Sequence, residues 1–163
     1  MKKIPLTQGR FAIVDDTDFW ALALHKWCLM GGQGYGRNIE YATRTDYSKG
    51  KRNKKVIRMH RVILGLNGKE MCDHVNGNGL DNRRSNLRIC NRAQNRINTK
   101  NNRNNTSGFK GVSKYGSKWV ARIGINFERV KLGVFETRNE AAKVYQEACV
   151  GVFGDFSPKS TES

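Results

Sequence analysis

Short apolar runs, each followed by a polar or glycine-rich turn, fill the first third of the chain. Four of these runs predict strands: FAIV (11–14), KWCL (26–29), NIEYATR (38–44) and KVIRM (55–59). The polar run DDTD (15–18) precedes FWALAL and predicts the start of a short helix, because acidic and hydroxyl side chains cap free backbone N–H groups. Residues 1–59 are therefore predicted to form a small β-rich module.

The pattern changes over residues 60–99. HRVILGL (60–66) predicts a short helix that ends at the turn formed by Asn67 and Gly68. Behind it the pattern predicts a strand at 71–75, a loop rich in Asn, Gly and Asp, a strand at 87–90 and a helix over about 91–98. This second module has the order strand, long loop, strand, helix.

A polar segment and a third module follow. Residues 100–108 lack periodicity, which predicts a linker. From residue 109 the runs FKGVSK, KWVARIGI and RVKLGVF predict three strands, and Thr137 with Glu140 predicts a capping box at the start of a helix. The predicted organisation is an α+β chain with modules at 1–59, 60–99 and 109–157, a linker at 100–108 and a flexible tail at 158–163.

Charge narrows the class of partner. Thirty Lys and Arg against 14 Asp and Glu give a formal net charge of +16, which favours a polyanion, and the spread of this charge over several modules favours long double-stranded DNA. The four cysteines form no Cys-x-x-Cys pair, which argues against a zinc ribbon or a redox motif and predicts reduced thiols. No apolar run is long enough for a signal peptide or a membrane span, so a soluble, cytoplasmic protein with no membrane partner is predicted.

The stretch from Met71 to Asn98 carries the candidate chemistry. A neutral imidazole such as that of His74 can activate a water molecule, because its pKa lies near working pH. Mg²⁺ prefers oxygen ligands and takes few of them from protein, and Asp73 and the amide oxygen of Asn95 would supply two. In a chain of this charge, the combination predicts metal-dependent cleavage of DNA.

The runs DH, NGN, LDNR, SNLR and QN occur in this order, and over roughly residues 58–98 the chain resembles the HNH nuclease family. The resemblance implies a ββα-metal core with His74 as general base and with Asp73 and Asn95 as metal ligands. It also implies that Asn86 is a structural residue that braces the loop and helps to orient His74. The zinc-binding cysteine pairs of the family are missing from the sequence, so no structural zinc is expected. Asn95 at the place of the final His favours Mg²⁺, with Mn²⁺ as the alternative.

Residues 107–157 resemble the ethylene-response (Apetala-type) DNA-binding domain through SGFKGVSK, KWVARI, KLGVF and EAAKVYQEA. That resemblance implies a three-stranded antiparallel sheet that is packed on one helix and lies in the major groove. The residues expected to contact DNA are Arg83 and Arg84 in the nuclease loop and Lys110, Lys114, Lys118, Trp119, Arg122 and Lys131 in this module. Lysine where that family has arginine favours phosphate affinity over bidentate reading of guanine.

The whole chain is thus similar to homing-type endonucleases of phages and bacteria, with residues 1–59 as a further DNA clamp. One catalytic set cuts one strand, which predicts a monomer or a weak dimer that nicks DNA or cleaves both strands. No small-molecule cofactor is expected, and His60 is expected to have a packing or supporting role. Two alternatives stay open: a DNA-binding regulator with an inactive nuclease fold, and cleavage of RNA instead of DNA.

Overall fold

The computed structural model describes residues 1–31, 39–99, 101, 104–125 and 128–157, and the predicted tail and residues 100, 102 and 103 of the predicted linker lie outside them. Helices and sheets are mixed, so the predicted α+β class is confirmed. The fold divides into two compact units, Met1–Cys90 and Asn91–Ser163. In the described part of the chain, no helix has the length and apolar character needed to cross a membrane.

Small antiparallel sheets and two α-helices build the described part of the first unit. Its elements are β1 (Lys2–Pro5), β2 (Phe11–Val14), α1 (Asp16–Ala23), β3 (Cys28–Met30), β4 (Tyr41–Asp46), β5 (Lys55–Arg58), α2 (Met59–Ile63), β6 (Met71–His74) and β7 (Leu87–Cys90). Strand β1 pairs with β2, β4 lies between β3 and β5, and β6 pairs with β7. The strand β1 is an addition to the predicted set, since only Ile4 of its four residues is buried and its pattern is too short to detect.

One hydrophobic cluster joins the two modules that are predicted to separate at residue 59. Ile4, Val14 and Trp27 from the first predicted module pack in one cluster with Met59 and Leu87. The division of the structure falls after Cys90 instead, because two short strands and a loop cannot bury enough apolar surface alone. The strand predicted at 26–29 is displaced to β3, since Trp27 turns inward and its Nε1 donates to the carbonyl of Leu22 (2.8 Å).

The second unit contains α3 (Arg92–Asn98), β8 (Val112–Tyr115), β9 (Lys118–Ile125), β10 (Glu128–Phe135) and α4 (Arg138–Phe153). The three strands form an antiparallel sheet with β9 in the centre, as the sequence predicts. Ala141, Tyr145 and Cys149 of α4 lie four residues apart and are buried against Ala121 and Ile123 of β9. The helix expected to complete a ββα core after β6 and β7 is α3, which belongs to this second unit.

Local hydrogen bonds fix the first turns of α3 and α4 and the segment around Ser107. Asn91 and Gln94 form a reciprocal capping box at the start of α3, and Thr137 Oγ1 accepts from the backbone of Glu140 at the start of α4. Ser107 lies in the predicted linker, but it is buried and its Oγ donates to the carbonyl of Val112 (2.8 Å). The described residues at the end of the linker therefore belong to the packed unit.

The four cysteines are free thiols, as predicted. Cys90 and Cys149 are buried and Cys72 is half-buried, whereas Cys28 is exposed.

Candidate active site

His74 is the last residue of β6, and its side chain lies in a small cluster of aromatic rings. The residue is only 5% exposed. The centroid of the His60 ring lies 5.1 Å away at an interplanar angle of 83°, and the centroid of Tyr41 lies 5.9 Å away. Tyr41 and His60 are in turn 5.5 Å apart. His60 on α2 and Tyr41 at the start of β4 therefore pack around the ring of His74.

Burial decides the charge state of both imidazoles. It is the largest cause that lowers the pKa of His74, although the contact with Asn82 and the charges of Asp73 and Asp81 oppose it. Burial also lowers the pKa of His60 to about 3, with nearby positive charge as a smaller cause. Both rings are neutral at neutral pH, and a neutral imidazole is the form that can accept a proton from water.

Asn82 is the polar group that the structure places against His74. Its side chain is fully buried, and its Oδ1 lies 3.4 Å from His74 Nε2, at the long end of the range for a hydrogen bond. An amide oxygen only accepts, so this contact places the proton on Nε2 and leaves the lone pair on Nδ1. Asn82 lies within the LDNR run, but its role is not predictable from the sequence, because its spacing from His74 does not show which loop residue turns inward.

Asn86 has the loop-bracing geometry that was expected of it. Its Oδ1 accepts from the backbone of Asn76 (3.0 Å), and its Nδ2 donates to the side chain of Asn76 (3.0 Å) and to the carbonyl of Asp81 (2.7 Å). These three bonds tie both sides of the loop between β6 and β7 together. The orientation of His74 involves Asn82 directly, so Asn86 acts on the shape of the loop.

The N-terminal part of the chain also holds this loop. The backbone of Ile13 in β2 donates to the carbonyl of Leu80 (2.8 Å) and accepts from the backbone of Asn82 (2.8 Å). On the other side, a Cβ at Gly79 would collide with the carbonyl of Glu40 and would lie 2.8 Å from ring carbons of Tyr41. Since the φ of Gly79 lies outside the positive region, the requirement for glycine here is one of space.

Arg84 connects the loop to the start of α1. Its backbone N–H donates to Asp15 (2.8 Å), and its guanidinium forms two bonds with Asp18 (2.8 and 2.7 Å). The expected capping of α1 by acidic side chains is therefore wrong for Asp15, whose carboxylate makes no cap bond and is directed to Arg84.

Arg83 also forms a bidentate pair, in its case with the buried Asp81 (2.7 and 2.6 Å). Both arginines that were expected to contact DNA have a carboxylate partner.

Asp73 lies beside His74 in β6 and pairs with Arg88 of β7. Its Oδ2 lies 3.2 Å from Arg88 Nη2, and both side chains are largely buried. A carboxylate and an amide oxygen are hard donors that suit Mg²⁺ or Mn²⁺, so the chemistry of Asp73 and Asn95 fits such a cation. Asn95 lies on α3 in the second unit, half-buried. In the described ranges, no cluster of three or more His, Cys, Asp or Glu side chains could hold a metal ion.

The sheet of the second unit separates the expected DNA contacts into two groups. Trp119 alternates with Val120 and packs against the core that faces α4, and its expected contact with DNA stays a prediction. Lys114 pairs with Trp119 in register and shares its side of the sheet. Arg122 pairs with Lys131 on the opposite, open side, which Lys118 also shares, although Lys118 forms an ion pair with Glu136.

Lys110 is engaged within the second unit. Its ammonium donates to the carbonyls of Arg96 (3.0 Å), Ile97 (2.7 Å) and Thr99 at the C-terminal end of α3. Free carbonyls at a helix end attract a positive charge, so this lysine stabilises α3. Its expected role as a phosphate contact stays a prediction, and its bonds to α3 are a role that the motif match could not show.

Two residues on the open side of the sheet were missed. Arg129 pairs with Gly124, and Tyr115 pairs with Lys118, so both share the side of Arg122. Lys131 Nζ lies 5.6 Å from the centroid of the Tyr115 ring, which links the outer strands across this surface. Counting back two residues from Lys131 would have identified Arg129, because alternate residues of a strand share a face.

Comparison with known proteins identifies a relative of the whole chain. A protein of Acanthamoeba polyphaga mimivirus that is described as an uncharacterized HNH endonuclease is 30% identical over 157 residues, which cover 92% of this chain and 74% of that protein. No protein-family model matches the chain. No solved structure matches it significantly.

Proposed function

This chain belongs to the HNH endonuclease family, and from this premise we propose that it is a metal-dependent endonuclease that hydrolyses phosphodiester bonds of double-stranded DNA with His74 as general base. The observation that carries the proposal is the environment of His74: a neutral, buried imidazole, held by Asn82 and two aromatic rings, at the end of a strand that also presents a carboxylate. Such a group is poised to take a proton but not to stay charged.

The division of work among the residues follows from their positions. His74 accepts the proton of the attacking water, since burial keeps its imidazole neutral. Asp73 would hold the cation, which would supply charge relief at the phosphate and at the leaving oxygen. Attack by water on the phosphorus with departure of the 3′ oxygen leaves 5′-phosphate and 3′-hydroxyl ends. His60 and Tyr41 limit the access of water to the far side of the imidazole.

The rest of the first unit keeps this arrangement rigid. The loop between β6 and β7 is held by the backbone of Ile13, by Asn86 and by the paired Arg84. A base that is displaced by about 1 Å can lose roughly a hundredfold in rate, so these supports belong to the catalytic design. We propose that DNA is held by the open side of the second unit's sheet, through Arg122, Arg129 and Lys131, with the first unit as a further basic surface.

The test is nicking of supercoiled plasmid by the full chain with Mg²⁺ or Mn²⁺, with and without chelator. His74→Ala is expected to lose at least about a thousandfold in single-turnover rate while DNA affinity stays within about twofold. His25→Ala, the same substitution at an exposed histidine of the same unit, serves as the matched control and should nick normally. Cleavage by His74→Ala at the rate of His25→Ala would overturn the assignment.

The two alternatives are decided by the same preparation. Retained DNA binding without nicking at any metal concentration would favour a regulator that carries an inactive fold. Faster cleavage of a structured RNA than of duplex DNA under matched conditions would favour a ribonuclease.

A further inference from the structure

The pair of Asp73 and Arg88 differs from the other ion pairs around the loop. Asp73 and Arg88 are direct neighbours in the register of β6 and β7. Their contact between Oδ2 and Nη2 is 3.2 Å long. By contrast, Arg83 with Asp81 and Arg84 with Asp18 form two bonds each, none longer than 2.8 Å. Charge-assisted pairs of carboxylate and guanidinium are strongest when they are short and bidentate, so the pair at Asp73 is the weakly held one.

Burial explains why Asp73 needs a positive partner at all. The side chain of Asp73 is 11% exposed and that of Arg88 is 17% exposed. A carboxylate withdrawn this far from water is costly unless a positive group lies beside it. When no cation is bound, Arg88 supplies this positive charge.

A divalent cation at Asp73 would bind the carboxylate whose Oδ2 Arg88 contacts and would stand next to the same guanidinium. Two positive groups at one carboxylate repel each other, and the repulsion is little screened in a half-buried site. We propose that Arg88 is a displaceable counter-ion of Asp73, which holds the carboxylate until a divalent cation replaces it and so sets the metal affinity of the site. The inference rests on the proposed function, since it takes Asp73 as a metal ligand.

The experiment measures binding of Mn²⁺ to the full chain without DNA, by the loss of the electron paramagnetic resonance signal of free Mn²⁺ at constant ionic strength. Arg88→Gln is expected to bind Mn²⁺ about three- to tenfold more tightly than the unmodified chain, because an opposing charge is removed. A merely structural role would give the opposite sign, since damage to β7 loosens the site. Arg88→Lys keeps the charge and should stay within about twofold of the unmodified chain.

Arg10→Gln is the matched control, because it removes the same charge from the same unit but from an exposed pair with Glu40. It should leave Mn²⁺ affinity within about twofold. Unchanged or weaker binding by a folded Arg88→Gln variant, together with loss of binding in Asp73→Asn, would overturn the inference but keep the proposed ligand. Unchanged binding in Asp73→Asn would overturn the ligand assignment and the inference with it.

Discussion

His60 and His74 lie edge to face in one buried pocket, with ring centroids 5.1 Å apart, although they come from different elements of the first unit. The positive charge that His74 would carry is one of the causes that lower the pKa of His60. Protonation of one ring therefore opposes protonation of the other, and the two titrate as a coupled pair.

The coupled pair predicts a loss of stability in acid. The folded pKa of both histidines lies below the ordinary value of 6.5, and that of His60 is about 3. Below pH 6.5 the unfolded chain thus binds more protons than the folded one, so the free energy of unfolding falls as the pH drops. His60 contributes up to about 1.4 kcal/mol per pH unit between pH 6.5 and 3, and the lowered pKa of His74 adds to the fall in the same direction. Urea unfolding followed by tryptophan fluorescence between pH 4 and 7 measures this slope.

His60→Phe keeps an aromatic ring but removes one titrating group, so its unfolding free energy should depend less steeply on pH than that of the unmodified chain. Asp and Glu side chains contribute equally to both proteins, and the difference between the two slopes isolates His60. Parallel slopes would contradict the buried, neutral state of His60.

As the pH is lowered, the single-turnover rate of cleavage should begin to fall only below pH 6.5; this fall is the acid limb of the pH profile. His74 must be neutral to act as base, and burial keeps it neutral at a lower pH than an ordinary histidine. Single-turnover nicking between pH 5 and 8, at saturating protein and fixed metal concentration, measures this limb. Asn82→Leu removes a contact that raises the pKa of His74, so the limb should move further toward acid while the plateau rate falls. A limb at or above pH 6.5 in the unmodified chain would argue against His74 as the base.

Gly79→Ala should impair the site without touching a catalytic group. The added methyl group meets the carbonyl of Glu40 and the ring of Tyr41, so the loop or β4 has to move, at a cost of about 1–3 kcal/mol. We expect a loss of several degrees in Tm and at least a tenfold loss in nicking rate. Gly151→Ala is the control: it lies in α4 with open space around its Cβ and should be neutral or slightly stabilising. Equal behaviour of the two variants would contradict the close packing at Gly79.

Arg122 and Trp119 should affect different properties, although both were expected to contact DNA. Arg122→Ala removes a cation from the open side of the sheet and should weaken DNA binding, with the slope of log K against log salt reduced by about one. Trp119→Ala removes packing against the core and should destabilise the second unit by about 2–4 kcal/mol, with the salt slope unchanged. Lys143→Ala, a charge loss at an exposed position of α4, controls for net charge. A reduced salt slope in Trp119→Ala would contradict its inward placement.

Features that depend on neighbouring residues in the sequence are predictable here, whereas contacts between distant residues are not. The strands β6 and β7 and the helix α4 are predictable because alternation and helical periodicity are local properties. The motif also indicates Asp73 and His74, since their residue types carry the chemistry. Tertiary contacts are not predictable in this way. The contact of Arg88 with Asp73 depends on the register of β6 and β7, and the contact of Lys110 with α3 requires the chain after α3 to fold back against the end of that helix.

The support that β2 gives to the catalytic loop has a consequence for comparison and for engineering. Ile13 contributes its backbone N–H and carbonyl to this contact, so any residue that keeps an extended strand at this position could replace it. A contact made by the backbone leaves no signature in an alignment, and a motif search therefore marks too short a segment as the nuclease. If residues 60–99 were transferred to another scaffold, the loop would lose its backbone hydrogen bonds with Ile13. The smallest segment that keeps them has to begin at β1, because β1 is the strand that pairs with β2.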